Sequence, residues 1–370
     1  MIKRNCLLLI GFLTLSVLFD GCIEPFSPPE VNSDEGYLVI DGFLNVGADT
    51  SRIELSHTQN TNSSFSPSKE TGAIINVEQE KGETYLFTEK GNGSYYLPPK
   101  LFDITVKYRL RIRTSNGKEY LSDYVAVKNT PPIDKIDYKE DPRQDAMVIN
   151  INTHDSKNET RFYRWKFEET YEYRAALYSG LEVVDGKIIG RREDINTCWR
   201  TLKSGNILLG STIKLSSDII KDLPLTTVPV STNKLLIKYS ILVKQYGLTQ
   251  DAFEYWTSLA KTTEGTGSLF DPLPSQVTGN IKNTADNKEL VFGYFSASVE
   301  QQMRIFMTPM LGRYPRCEDP SKLTIKEAIS SNGVLLSYTG TMPDSVYVSN
   351  ASCADCRAQG GANKKPSFWE

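Results

Sequence analysis

The chain has 370 residues, a formal net charge of −3 and a mean hydropathy of −0.35. A weakly acidic chain lacks the basic surface that phosphate contacts require, so the composition argues against nucleic acid as a partner. The length suggests about two domains. No stretch after residue 22 is long and apolar enough to predict a membrane-spanning helix.

The N-terminus has the composition of a bacterial export signal. Lys3 and Arg4 precede an apolar run over residues 7–19, and Asp-Gly-Cys follows at 20–22. A basic start, a short apolar run and a small residue before the cut are typical of a signal peptide. Because a thiol comes directly after the small residue, we predict a lipoprotein in which acylated Cys22 anchors the chain in a lipid bilayer.

Two other interpretations of this segment stay open. A spanning helix needs about 20 apolar residues, and this run is shorter, so a retained anchor is less favoured. Ordinary secretion with an incidental Cys is the second alternative. Phe19 and Asp20 stand where lipoprotein signals usually have Leu and a small residue, which makes the cleavage site atypical. On the lipoprotein interpretation, residues 1–21 are the signal peptide and the Pro-rich, acidic residues 22–35 are a flexible tether.

Four cysteines remain after the signal and the anchor. An even number in an exported protein predicts two disulfides, which can form in three pairings. We prefer the pairing that joins Cys353 and Cys356 to Cys198 and Cys317, because it would staple the C-terminal tail to the second domain. A four-sulfur zinc site and a redox-active C-x-x-C stay open as alternatives, although no βαβ context supports the redox motif.

Residues 36–129 predict an immunoglobulin-like or Greek-key β-sandwich, because short apolar runs alternate with turn residues. The clearest strand lies between Ile104 and Arg113, and Asn116-Gly117 after it is a strong hairpin signal. The basic side of this strand is either an ordinary solvated face or a surface that steers anions. Pro131-Pro132 marks the domain boundary.

Residues 133–370 predict a second, larger antiparallel β domain with one inserted α-helix. Tyr163, Trp165 and Phe167 alternate with charged residues, which is the period of a half-buried strand, and another long strand is expected from Lys234 to Lys244. The helix begins after Thr249, which can cap it. It either lies across a sheet or contributes Tyr255 and Trp256 to a ligand groove.

Motifs of catalysis are missing from the sequence. The two histidines, His57 and His154, lie in polar stretches, and no zinc-protease, nucleophile-elbow or phosphate-loop pattern occurs. We therefore predict no catalytic residue, no metal ligand and no cofactor, and we expect that the protein is not an enzyme. A catalytic triad assembled from distant residues stays open, because its members need not be close in the chain.

Four segments carry a resemblance to a known family. They are Tyr37-Leu-Val-Ile-Asp-Gly42, Val277-Thr-Gly-Asn-Ile281, Val291-Phe-Gly-Tyr-Phe-Ser-Ala-Ser298 and the tail from Cys353-Ala-Asp-Cys356 to Trp369. With them the chain resembles the Bacteroidota lipoproteins catalogued as domain of unknown function 4249 (DUF4249). The resemblance implies an exported envelope protein whose gene often lies near those of TonB-dependent receptors. It implies no catalytic residues.

These observations predict a lipid-anchored protein of the bacterial outer membrane, on the cell surface or the periplasmic face. We expect a binding or accessory subunit, with a TonB-dependent β-barrel of a nutrient importer as its partner. A surface-anchored hydrolase and a passive envelope or adhesion component are the alternatives.

Overall fold

The chain folds mainly into β-strands, as its alternating patterns predict. The computed structural model describes residues 36–59, 66–263, 277–309, 311–340 and 344–369. The predicted signal peptide (1–21), the lipidation site Cys22 and the tether (22–35) lie outside the described residues.

The strands and helices have the following bounds. The first ten strands are β1 (Leu38–Gly42), β2 (Leu44–Asn45), β3 (Ser51–His57), β4 (Ile74–Gln79), β5 (Thr84–Leu86), β6 (Thr88–Glu89), β7 (Ser94–Leu97), β8 (Lys107–Arg113), β9 (Glu119–Ser122) and β10 (Val125–Lys128). The next elements are β11 (Ile133–Asp141), β12 (Ala146–Asp155), β13 (Phe162–Arg174), β14 (Leu181–Val184), β15 (Lys187–Gly190), β16 (Thr197–Lys203), β17 (Leu208–Ser211), β18 (Asp218–Pro229), β19 (Lys238–Gly247) and helix α1 (Gln250–Thr263). The last are β20 (Ile281–Asn283), β21 (Ala297–Ser298), β22 (Gln301–Met307), β23 (Ser321–Thr324), α2 (Ile325–Ser330), β24 (Val334–Tyr338), β25 (Ser345–Ser349) and α3 (Ala351–Ala354).

The N-terminal part is a β-sandwich, which we call the first sandwich. One sheet has the order β1-β3-β7-β6, and the other has the order β2-β21-β10-β8-β4-β5 with β9 and β20 attached. Inward side chains of both sheets, such as Ile53 and Tyr95 against Val77 and Leu110, form one buried core. The predicted hairpin at Asn116-Gly117 connects β8 to β9.

The segment from residue 277 to residue 299 returns to the first sandwich, whereas the sequence placed it in the second domain. β20 pairs with β9, and β21 pairs in parallel with β2 and β10. The Asn280 amide donates to the Phe295 carbonyl and accepts from its N–H, at 2.9 and 2.8 Å. A Cβ at Gly279 would lie 1.6 Å from the Gly293 carbonyl oxygen, so two backbones cross here too closely for a side chain.

Residues after Pro131-Pro132 form a second sandwich, from a sheet of order β11-β12-β18 and a sheet of order β16-β13-β19-β22 to which β17 adds. Aromatic side chains dominate its core, with Tyr163, Trp165 and Tyr239 fully buried. β19 begins at Lys238 and not at the predicted Lys234, because residues 233–235 form a 3₁₀ turn that brings the Leu236 N–H to the Asn233 carbonyl.

A smaller layer completes the second part of the chain. Its sheet has the order β23-β25-β24, and the β14–β15 hairpin and helix α2 pack beside it around Val346 and Leu181. α2 begins with a capping box in which Thr324 and Glu327 satisfy each other's backbone N–H groups. The short helices α2 and α3 are additions to the one helix that the sequence predicts.

Two disulfides fix the C-terminal tail, in the preferred arrangement. Cys198 on β16 is bonded to Cys356, and Cys317 is bonded to Cys353. The tail then continues to Trp369, whose indole N–H donates to Glu172 at 3.0 Å. The C-x-x-C thiols therefore have separate partners, which is the disulfide alternative and not the zinc or redox alternative.

Removing either disulfide is expected to destabilise the protein by about 2–5 kcal/mol, because each bond restricts the unfolded chain. The double variant Cys198→Ala/Cys356→Ala should lose more than Cys317→Ala/Cys353→Ala, since the bonded residues are 158 apart in the first pair and 36 apart in the second. Urea unfolding followed by far-UV circular dichroism measures both. Equal stability of the wild type and the Cys198→Ala/Cys356→Ala variant would contradict the structural role.

Candidate functional site

A cleft of about 470 Å³ lies between the outer faces of two sheets, β1-β3-β7-β6 of the first sandwich and β16-β13-β19-β22 of the second. On the first side its lining residues are Asp41, Gly42, Phe43, Asp49, Thr50, Arg52, Glu54 and Tyr96. On the other side they are Lys166, Phe167, Glu168, Lys203, Ser204, Lys244, Tyr246 and Glu300. Nine of these sixteen residues are charged and two are tyrosines, so the cleft suits a polar ligand better than a lipid.

The alternation of side chains along β13 explains why the cleft wall formed by the second sandwich is charged. β13 buries Tyr163, Trp165 and Phe167 in the second sandwich, so the intervening residues must point to the opposite face. Lys166 on β13 pairs in register with Lys244 on β19. Two like charges directly opposite each other repel, so this position requires negative groups nearby.

Carboxylates lie near both lysine ammonium groups, but not at hydrogen-bond distance. Lys166 Nζ lies 3.7 Å from Asp41 Oδ1, and Lys244 Nζ lies 3.7 Å from one oxygen of Glu168 and one of Glu300. These separations exceed the roughly 2.7–3.2 Å of a good hydrogen bond. Burial on the cleft wall lowers the pKa of Lys166, and the Asp41 carboxylate opposes that effect. Polar groups of a ligand could therefore compete for these ammonium groups.

At its inner end the cleft narrows to a recess of about 20 Å³ next to helix α1. The guanidinium carbon of Arg164 lies 3.4 Å from the centroid of the Trp256 ring, so the two planar groups stack. The Arg164 Nε is buried and has no hydrogen-bond partner among the described residues. Burial lowers the pKa of Arg164 to about 10, and Asp41 opposes the effect, so the guanidinium stays charged at neutral pH.

Helix α1 brings only one of the two predicted groove residues to the recess. Thr249 caps the helix as expected, since its hydroxyl oxygen accepts from the Ala252 N–H at 3.3 Å. Trp256 lines the recess. Tyr255 is buried and packs on Tyr294, with 5.1 Å between ring centroids, so it attaches the helix to the first sandwich.

The two histidines lie away from the cleft lining, and each pairs with a carboxylate. His57 Nε2 lies 2.9 Å from Glu70 Oε2, and the other Glu70 oxygen accepts from the Ser115 N–H and hydroxyl at 3.0 Å. This order places the carboxylate between the hydroxyl and the imidazole, whereas a catalytic triad places the imidazole in the middle. His154 Nδ1 lies 2.7 Å from Asp134 on the exposed surface.

The two central arginines on the basic face of β8 are paired with carboxylates of neighbouring strands. Arg109 and Arg111 donate to the two oxygens of Glu78, at 2.7 and 2.5 Å, and Arg111 also pairs with Glu119. These hydrogen bonds lower the pKa of Glu78 although burial alone would raise it. The arrangement favours the ordinary solvated face over the anion-steering surface.

Within the part of the chain that the structure describes, no three His, Cys, Asp or Glu side chains are grouped so that they could hold a metal ion. In that same part, no helix combines the length and the apolar character needed to cross a bilayer.

The cleft itself was not predicted from sequence. Arg164 and Lys166 look like the solvated side of an ordinary strand, and Asp41 looks like a turn residue. The one available signal was the aromatic pair on the helix, of which Trp256 contributes to the site.

The architecture defines a class of mainly β proteins that hold a polar cleft between two sandwiches. More particularly, the chain belongs to the DUF4249 family, a domain of unknown function whose model matches residues 23–304. No curated protein matches the chain. The match includes β1 to β21 and therefore both walls of the cleft.

Glu70→Gln should lower the free energy of unfolding by about 1–3 kcal/mol at neutral pH, because a charged acceptor of three hydrogen bonds is lost. Burial raises the pKa of Glu70, but the bonds from His57 and Ser115 outweigh it and hold the pKa below its ordinary 4.5. A lowered pKa stabilises the fold above the unfolded-state pKa, and this stability disappears as the pH falls through the folded-state value.

The difference in unfolding free energy between wild type and Glu70→Gln should therefore shrink as the pH falls below the ordinary value of 4.5. Urea unfolding at several pH values measures it. The exposed Glu80 on the same sandwich provides the control, and Glu80→Gln should change the unfolding free energy little at any pH. A difference that stays constant with pH would contradict the assigned charge state of Glu70.

Proposed function

We propose that the protein is an exported, lipid-anchored binding protein whose cleft takes up a small polar ligand. The observation that carries this proposal is the loosely paired set of charges around a cleft of about 470 Å³, a size typical of small-molecule sites. A passive envelope component has no need for such a cleft, so the geometry favours binding over that alternative.

The carboxylates of the cleft favour binding over glycoside hydrolysis. A hydrolase of that type needs one carboxylic acid that is kept protonated to act as general acid. Here Lys244 Nζ lies at the same 3.7 Å from Glu168 and Glu300, and Glu300 also accepts from the Tyr246 hydroxyl at 2.6 Å. Both carboxylates are therefore paired with polar donors, and neither has the apolar surroundings on which such a general acid depends.

The location and the partner in this proposal are supported by the N-terminus and by the family. The export-type segment ending at Cys22 supports a lipid anchor in the bacterial outer membrane. The genomic association implied by the family resemblance supports a TonB-dependent β-barrel importer as the partner that would receive the ligand.

Ligand binding in the cleft can be tested by lysine protection. Reductive methylation read by mass spectrometry should be slower at Lys166 and Lys244 when a bound probe covers them, and unchanged at Lys139, whose side chain is 67% exposed on the other sheet of the second sandwich. The probes are maltotriose, trialanine, succinate and glycerol 3-phosphate, each at millimolar concentration. If none of them protects the two cleft lysines, the binding proposal is wrong.

A matched pair of variants shows whether protection comes from the cleft. Thr50 is exposed at the lining, and Thr227 is exposed on β18 outside it. Thr50→Trp should obstruct the cleft and reduce protection at least several-fold, whereas Thr227→Trp should leave it unchanged. Equal protection in both variants would place the probe elsewhere.

The anchor can be tested by metabolic labelling with an alkynyl palmitate analogue. The wild type should be labelled and remain with membranes, and Cys22→Ala should lose both properties, since acyl chains supply about 0.8 kcal/mol per buried CH₂. Pull-down of the wild type from solubilised membranes should recover a β-barrel receptor. An unlabelled wild type, or a pull-down without a barrel, would contradict the anchor or the partner respectively.

A further inference from the structure

The recess at the inner end of the cleft is too small for a whole ligand. Its volume of about 20 Å³ is close to the space that one or two water-sized groups occupy. It shares Asp41, Phe43, Lys166 and Tyr246 with the larger cleft, so the two spaces are continuous. The recess can therefore hold one functional group of a molecule whose remaining part lies in the cleft.

The donors in the recess lack a sufficient acceptor. The face of the Arg164 guanidinium is covered by Trp256, which leaves its edge N–H groups for hydrogen bonding. Its buried Nε finds no acceptor among the described residues. Such a donor is unfavourable when it stays unpaired, so the site is complete only when an acceptor reaches it.

The charges of the recess do not balance. Arg164 and Lys166 are both cationic, and Asp41 is the one carboxylate in the recess lining. Asp41 is also 61% exposed and 3.7 Å from Lys166 Nζ, so solvent screens the pair. One negative charge on a ligand would make the recess neutral.

We propose that the recess binds the carboxylate of the ligand that the cleft holds, with Arg164 Nε and Lys166 Nζ as the hydrogen-bond donors. This inference rests on the proposed binding function and specifies the class of ligand. A planar carboxylate matches the flat guanidinium edge. A phosphate ester carries up to two charges and a tetrahedral group, which the single excess charge and the small volume suit less well.

The test follows the Nε–Hε resonance of Arg164 in protein labelled with ¹⁵N-arginine, assigned by its absence in Arg164→Lys. The probes are succinate, trialanine and trialanine with an amidated C-terminus. Succinate, trialanine or both should shift the resonance saturably, and the amide should not. A shift with succinate alone indicates a small acid as the ligand, and a shift with trialanine alone indicates a peptide C-terminus.

A matched control uses the second stacked arginine of this sheet. The Arg304 guanidinium carbon lies 3.8 Å from the centroid of Phe368, and Arg304 is absent from the lining of the cleft and the recess. Arg164→Gln should weaken carboxylate binding roughly 10- to 100-fold, as expected when a charge-assisted hydrogen bond is lost. Arg304→Gln should leave the affinity within about twofold, since it contacts no ligand.

Two results would overturn the inference. The first is that succinate and trialanine shift the Arg164 Nε–Hε resonance no more than sodium chloride does at equal ionic strength. The second is that Arg164→Gln and the wild type bind the carboxylate probe with equal affinity. If a neutral probe such as maltotriose still protects Lys166 and Lys244 from methylation, the binding function stands and only the carboxylate assignment fails. If no probe protects them, both proposals fail.

Discussion

The period-two alternation of β13 is the constraint on which the candidate site depends. The strand must bury Tyr163, Trp165 and Phe167, and it therefore presents charged side chains to the first sandwich. The facing sheet presents Arg52 and Glu54 for the same reason. Two charged sheet faces cannot pack together without a large desolvation cost, so a cleft remains where two apolar faces would have closed.

Local patterns predicted much of the fold because hairpins and alternating strands are set by neighbours in sequence. The turn at Asn116-Gly117 and the strand that contains Tyr163, Trp165 and Phe167 are examples. The return of residues 277–299 to the first sandwich was missed. Its contacts join β21 to β2 and β10 over long sequence separations, and a two-residue strand carries no periodic signal.

Residues 277–281 and 291–298, two of the segments that resemble the family, contain residues with a structural role. The side-chain amide of Asn280 pairs with the backbone N–H and carbonyl of Phe295, as a neighbouring strand would. Gly279 and Gly293 allow two chain segments to cross closely. Arg164 could not be singled out in the same way. The alternation along β13 places Arg164 on the side of the strand that usually faces solvent. Only the tertiary contact with Trp256 covers its guanidinium group.

The described chain passes between the two sandwiches after β10 and again between β21 and β22. Domain closure around a ligand occurs at a few hinge residues that absorb large changes of φ and ψ. The contact between Tyr255 on α1 and Tyr294 of the first sandwich joins the two sandwiches beside the recess and opposes such a motion. For the proposed ligand, this contact predicts a cleft that is already open before binding, so that recognition would involve little reorganisation energy.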